Sequence, residues 1–292
     1  MSRSGSRTSP IGNDAHVIRH HPPLTRAQLA DRIRTHDAGW HARAADRTSG
    51  FIVAGRFAED SSIWSDVKVV YMALQYNKCI YCERVLGAEL TGKSEHDVEH
   101  FRPKGRVMTW PYAARKPKVS YTFSTGTPNS IGYYWLAYDI ENYACSCKGC
   151  NSDRKRDYFP ILGARGAATD NIAALNQSEI PLLLFPCGVD GDDPAAFITF
   201  TGVIAQVRSD VDATAKLRAQ VTIDFFSLND REELLADRAR VIRELAKAME
   251  LMNHSDPAWQ ARGQRDLDQI TSDASPQAAC ARLRRARPYR RQ

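Results

Sequence analysis

The sequence has no apolar run that approaches the length of a membrane-spanning helix. That argues against a helical membrane protein, and no membrane partner is expected. The opening MSRSGSRTSPIGNDAH has none of the apolar stretch that a secretory signal needs. Residues 1–24 therefore read as a mobile arm, and a cytoplasmic location is expected. Cysteine occurs seven times, but without an export signal those cysteines do not read as a disulfide framework. There is also no internal repeat and no long low-complexity block.

What is present is ordinary in bulk and uneven in detail. The chain has 292 residues, 43% hydrophobic and 25% charged, enough for one large domain or two small ones with a proper core. Its formal net charge is +6. From His100 to Ser120 there are six Lys or Arg and no Asp or Glu, and the last twelve residues, ARLRRARPYRRQ, hold six Arg. Such patches suit a phosphate backbone, although a basic tail is commonly only a solvated end. Charge alone discriminates little.

Four of the cysteines form two pairs at one spacing, Cys79-x-x-Cys82 and Cys147-x-x-Cys150. Each pair has the length of a zinc knuckle, in which two thiolates grip one corner of a tetrahedral ion. A single pair could instead be redox-active, but the βαβ pattern around a thioredoxin-like pair is missing. The repeat of the spacing favours a four-thiolate structural Zn²⁺ site. CSCKGC offers both Cys145 and Cys147 as the third ligand; Cys147 is chosen because its spacing to Cys150 mirrors the first pair. Cys145, Cys187 and Cys280 are then small core or loop residues.

Apolar spacing predicts a helix over Thr25 to Ala44, weakened by Gly39, with Leu29, Ile33 and Trp40 on one stripe. A second predicted helix carries Trp64, Val67, Tyr71 and Leu74 and runs straight into the first cysteine pair. Residues 105–135 are rich in Pro, Gly, Ser, Thr and aromatics and read as loop with at most a short hairpin. They lie in the 64 residues between the cysteine pairs, a length that a substrate-contacting insertion would explain. PLLLF and the alternating FITFTGVIAQV read as strands with a turn at Thr201-Gly202. VDGDDP lacks the alternating ligands of a calcium loop and reads as a plain turn. A long helix follows, with Asn229 as N-cap, Glu232 completing a capping box, and Leu234, Val241, Leu245 and Met252 on its buried side. The organisation expected is a helical lead-in over 25–78, a metal-stapled core over 79–160, a strand hairpin with a helical C-terminal region over 161–254, and a basic flexible tail over 255–292.

The chemistry is sought in DVEHFRPK, residues 97–104. Hydrolysis of a phosphodiester needs a divalent cation to neutralise developing charge and a base to take a proton from the attacking water. Hard cations take oxygen ligands, and an imidazole is suited to proton transfer near neutral pH. Glu99 and His100 are adjacent, so on a strand they point to opposite faces unless a bend lets both reach one phosphate. Phe101 and Pro103 would fix such a bend. Asn151 directly follows Cys150, which would anchor the start of a short helix presenting it.

The order CIYCE … DVEHFRPK … ENYACSCKGCNSDRK resembles the HNH endonucleases over roughly Lys78 to Pro160. The resemblance implies an α+β fold whose ββα-metal nuclease core is stapled by the four-cysteine zinc site and embedded in a mostly helical chain. By the same resemblance Glu99 takes the place of the metal-binding carboxylate, usually Asp, and His100 that of the general base. Asn142 takes the middle Asn position, which braces the loop and helps to orient the His, and Asn151 replaces the last His as second metal ligand. The catalytic ion expected is Mg²⁺ or Mn²⁺, and the zinc ligands are Cys79, Cys82, Cys147 and Cys150. Arg102, Lys104, Arg106 and Lys155 are expected along the nucleic acid, with double-stranded DNA as the substrate. No motif for reading base edges is visible. The long insertion between Arg106 and Tyr138 departs from the compact pattern of the family.

More narrowly, WSDVKVVYMALQYNKCIYCE joined to DVEHFRPK resembles bacterial HNH proteins that include nuclease subunits of Septu-type and retron-linked phage defence. LLLFPCGVD and LNDREELLADR are also similar to that group, which implies a partner ATPase. Two other readings stand beside the nuclease: a zinc-stapled module that binds nucleic acid without cutting it, and a nuclease dormant until its partner releases it. Singly, each site residue has a plain alternative. His100 could be a hydrogen-bonded structural histidine, Asp97 a supporting carboxylate, His96 a loop residue, and the two asparagines turn and cap residues.

Overall fold

A computed structural model of the chain describes residues 24–87, 96–113, 118–187 and 191–285. The expected mobile arm, apart from Leu24, and the last residues of the expected tail lie outside those bounds. Among the described residues the architecture is α+β: helices around two small two-stranded antiparallel sheets. No helix among them is long and apolar enough to cross a membrane.

The helix expected over Thr25 to Ala44 is two helices, α1 (Arg26–His36) and α2 (Trp40–Ala54). Thr25 opens α1 with a capping box, its hydroxyl accepting from Gln28 N–H while the Gln28 side chain accepts from Thr25 N–H. The break follows from Asp37, whose carboxylate accepts from Gly39 N–H at 3.0 Å and so competes with the helical pattern. Leu29, Ile33 and Trp40 are nevertheless all buried. Next, a 3₁₀ turn (Trp64–Val67) enters α3 (Lys68–Leu74). This helix stops before the first cysteine pair. Tyr76 and Asn77, at φ +52° and +54°, swing the chain into Cys79. The buried Gln75 secures that turn by donating to the carbonyls of Lys78 and Cys145 and accepting from Cys145 N–H.

The central ladder pairs β1 (His96–His100) with β2 (Tyr143–Cys147), in a register that sets His96 opposite Cys147 and His100 opposite Tyr143. Between them, the described part of the expected substrate-contacting insertion builds core instead. Val107, Trp110 and Tyr133 to Tyr138 are buried, and the Trp110 ring lies 4.2 Å from that of Phe225. After β2 comes a single wide π-type turn (Asn151–Lys155), shorter than the expected helix, and Arg156 then reverses the chain at φ +44°.

PLLLF is not a strand. Leu182, Leu183 and Leu184 are buried in an irregular segment whose backbone bonds to Pro160 O and to the Thr222 hydroxyl rather than to a ladder. Of the acidic turn, the described Asp192 forms a two-pronged pair with Arg218, and Asp193 caps a 3₁₀ turn. Helix α4 (Ile172–Glu179) precedes this segment, and the expected hairpin follows as β3 (Ile198–Thr201) and β4 (Ile204–Val207). Helix α5 (Ala213–Phe225) leads to α6 (Glu232–Met252), whose N-cap is Arg231. Asn229 is not the cap: its amide is committed to both backbone groups of Ala205, at 2.8 and 2.9 Å.

The described part of the expected flexible tail is folded. Helix α7 (Pro257–Ile270) doubles back on α6, and α8 (Ala278–Arg285) follows. Gly263 permits the close crossing, since a Cβ there would meet Ala248 O at 2.6 Å. Leu245, Ala248 and Leu267 form a small core between the two helices, separate from the main core that runs from α1 to the start of α6.

Candidate functional site

Two centres are built around the β1–β2 ladder. The first is sulfur. Cys79 and Cys82 sit on the turn after α3, Cys147 ends β2, and Cys150 closes the following turn. Their four sulfurs lie within 4.8 Å of one another. A tetrahedral ion with metal–sulfur bonds of about 2.3 Å has sulfur–sulfur edges of about 3.8 Å, and Cys82 Sγ stands 3.8 Å from Cys147 Sγ. These residues fit Zn²⁺. Cys147 is held well below the ordinary thiol range by hydrogen bonds from Cys150, Cys79 and Cys82, and Cys147 N–H donates to Cys79 Sγ at 3.4 Å.

Cys145 is outside the cluster, with its thiol 3.5 Å from Lys68 O. Two residues along a strand share a face but stand about 7 Å apart, one repeat too far to reach the same ion. Distant residues close over the sulfurs. Arg231 Nη1 donates to Cys150 Sγ at 3.3 Å, Gln277 Nε2 donates to Cys82 O at 2.7 Å, and the buried Lys78–Glu83 pair, at 3.2 Å, bonds onward to Ser275 O and Ala279 N–H. Burial pulls the Arg231 guanidinium down, but the negative charge of the Cys150 and Cys82 sulfurs and its hydrogen bond to Glu233 outweigh this and hold it above its usual range. Sequence reasoning missed this residue because nothing local marks an arginine as a sulfur partner.

The second centre is a cavity of about 410 Å³ into which Glu99, His100 and Asn151 all open. The ladder ends at His100, and Glu99 and His100 both line this one space. Asn142 is behind this cavity rather than in it. Its side chain accepts from Arg102 N–H at 2.7 Å and donates to the carbonyls of Arg102 and Leu136, which pins the bend. The His100 ring is edge-on to Trp64 and Tyr143, at 4.8 and 5.0 Å between centroids, and its Nε2 lies 3.1 Å from Ala137 O. A carbonyl can only accept, so Nε2 carries the hydrogen and the Nδ1 lone pair is left. Burial pushes this ring well below the usual imidazole range, Lys104 and Lys155 act in the same direction, and the Ala137 carbonyl opposes them.

Glu99 is also buried. Burial raises its carboxyl, and Lys155, at 3.2 Å, pulls it back. Lys104 lies over the Trp64 ring at 4.4 Å and reaches the same cavity. So do Lys68, Arg156 and Trp64 itself, none of which was expected at the site. Asp97 is paired with Lys148 at 3.1 Å, and His96 is not a loop residue but the buried start of β1.

Two expected nucleic-acid contacts are corrected. Arg102 is 1% exposed and paired with Glu179 at 2.9 Å; Lys155 is 0% exposed, held between Glu99 and His100 O. Both face inward because buried carboxylates claim them. Arg106 stays at the surface, paired with Asp157 at 2.8 Å. The side-chain oxygens of Glu99 and Asn151 are donors of the kind that hard divalent cations take.

No protein-family model matches the chain. The chain is similar to the Septu protein PtuB of Bacillus mycoides (strain KBAB4), with 28% identity over 216 residues, which is 71% of this chain and 61% of that protein. It thus spans about three-fifths of the length of this relative.

Proposed function

We propose that the chain is a metal-dependent HNH endonuclease, with a ββα-metal core formed by β1, β2 and the turn at 151–155, that acts in Septu-type anti-phage defence. The observation that carries this reading is the shared cavity of Glu99, His100 and Asn151, residues brought together from two separated segments beside a four-cysteine anchor. Similarity to a Septu protein supports the setting.

In this reading Glu99 and Asn151 hold the cation. A bound divalent ion supplies charge neutralisation at the phosphate. His100 Nδ1 takes the proton as water oxygen bonds to phosphorus and the bond to the leaving oxygen breaks. The Ala137 carbonyl keeps the ring in the tautomer that can do so, and Asn142 keeps the bend that presents it. Lys104, Lys68 and Arg156 attract the phosphate backbone, which gives affinity without base preference.

Purified protein is expected to nick or cut plasmid DNA in Mg²⁺ or Mn²⁺, and His100→Ala to lose that activity. Equal cutting by both proteins dismisses the assignment. The pairing of Lys155 with Glu99 at 3.2 Å favours a second form of the same reading, a nuclease dormant until a partner ATPase acts. Its mark is cutting only when an ATPase encoded beside the gene is added. Plasmid retention without cutting under either condition points instead to a binding module.

A further inference from the structure

The first cysteine pair does more in this fold than hold an ion. Between its ligands, Tyr81 is 5% exposed, and its hydroxyl donates to Glu99 Oε1 at 3.3 Å. Lys155 Nζ approaches the same oxygen at 3.2 Å. Among the described residues no hydrogen bond reaches Glu99 Oε2, and Glu99 opens to the cavity. Two donors thus claim one carboxylate oxygen and leave the other to a ligand.

The position of the Tyr81 hydroxyl is secured from three sides. Its backbone is clamped between Cys79 and Cys82, two of the clustered sulfurs. The neighbouring Ile80 N–H donates to Cys145 O at 3.1 Å. Its ring stacks on Phe226, 3.9 Å between centroids and 19° from parallel. We infer that Tyr81 is a positioning residue for the cation: it orients the Glu99 carboxylate so that Oε2 faces the cavity, and so makes the zinc turn part of the catalytic site. The inference rests on the reading of Glu99 as the cation's carboxylate. Outer hydrogen bonds of this kind fix a ligand's orientation before the metal arrives, and losing one typically lowers metal affinity about 10- to 100-fold.

The test is Mn²⁺ binding to the zinc-loaded full chain, followed by the electron paramagnetic resonance signal of free Mn²⁺. Zinc content and melting temperature are measured on the same samples. Tyr81→Phe keeps the ring on Phe226 and removes only the hydroxyl. It is expected to weaken Mn²⁺ binding about tenfold or more with zinc and melting unchanged, and to add nothing in a Glu99→Gln background. Native affinity in Tyr81→Phe, with binding lost in Glu99→Gln, overturns the inference and leaves the nuclease reading standing. Native affinity in Glu99→Gln itself overturns the reading on which the inference rests. Should Tyr81→Phe shed zinc, Phe226→Leu decides the matter, since it keeps the hydroxyl and removes the surface that steadies it. Weaker Mn²⁺ binding there supports the role, and unchanged binding overturns it.

Discussion

The cysteine cluster and the Glu99 cavity border the same strand pair but solve opposite problems. The cluster is closed and chemically uniform: four sulfurs within 4.8 Å, with Arg231 against one of them. The cavity is open and mixed: Glu99, His100 and Asn151 line it together with Asp97, Asp157, Lys68, Lys104 and Arg156. A structural centre is complete when the chain has folded. In the proposed reading the cavity is a catalytic centre and stays incomplete, because its last ligands would be water and substrate.

Breaking the first centre is expected to have the largest effect. Cys79→Ser removes one of four sulfurs, and a structural zinc site contributes folding free energy outright. The variant is expected to lose its zinc and its cooperative melting transition, measured by metal analysis and circular dichroism. A variant that keeps both shows that the cluster is not a structural metal centre. The second centre should respond differently. Omitting the divalent cation from the buffer is expected to abolish cutting by a protein whose melting temperature does not move. A parallel loss of folding collapses the distinction between the two centres.

Arg231→Met tests how closed the cluster is. Removing one partner of a buried charged contact costs about 3 kcal/mol, so faster zinc transfer to a chromophoric chelator and a lower melting temperature are expected. Unchanged zinc transfer means that the cluster does not use the guanidinium.

Acid should find the cavity. Burial holds the His100 ring below its ordinary value of 6.5, so the unfolded chain takes up that proton first as pH falls. The stability gained by keeping the ring neutral is whole above about pH 6.5 and is lost below it, at up to about 1.4 kcal/mol per pH unit. His100→Gln is expected to flatten that part of a denaturation-against-pH curve, and a curve unchanged in shape rejects the assignment. The smallest effect belongs to Lys104→Gln, which should lower the slope of log affinity against log salt by about one for DNA binding. An unchanged slope removes Lys104 from the interface.

Several elements were legible because their signals are local. Two equal cysteine spacings identified the sulfurs that meet, and the choice of Cys147 over Cys145 followed from that spacing alone. Alternation marked the hairpin at 198–207, and the Glu-His step before Pro103 marked a strand end where two side chains share a space. What was misread depended on distant partners. Arg102 and Lys155 look like their exposed neighbours in a basic run, yet Glu179 and Glu99 draw them inside. Asn229 has the form of a cap, but Ala205 takes both ends of its amide. The stretch from 255 to 285 reads as a fading helical pattern, while Gly263 and the contacts of Gln277 fold it against α6 and the cysteine turn.

By itself the sequence determined which atoms could serve one ion, where turns and caps interrupt the chain, and which segment carries the acid and the imidazole. These depend on residue type and on separations of a few bonds, where backbone geometry leaves little choice. Only the tertiary structure decided which charges are spent inside, which face the cavity, and that Tyr81 joins the sulfur turn to Glu99. Those pairings span up to two hundred residues, and a buried charge takes whichever partner the completed fold brings within reach.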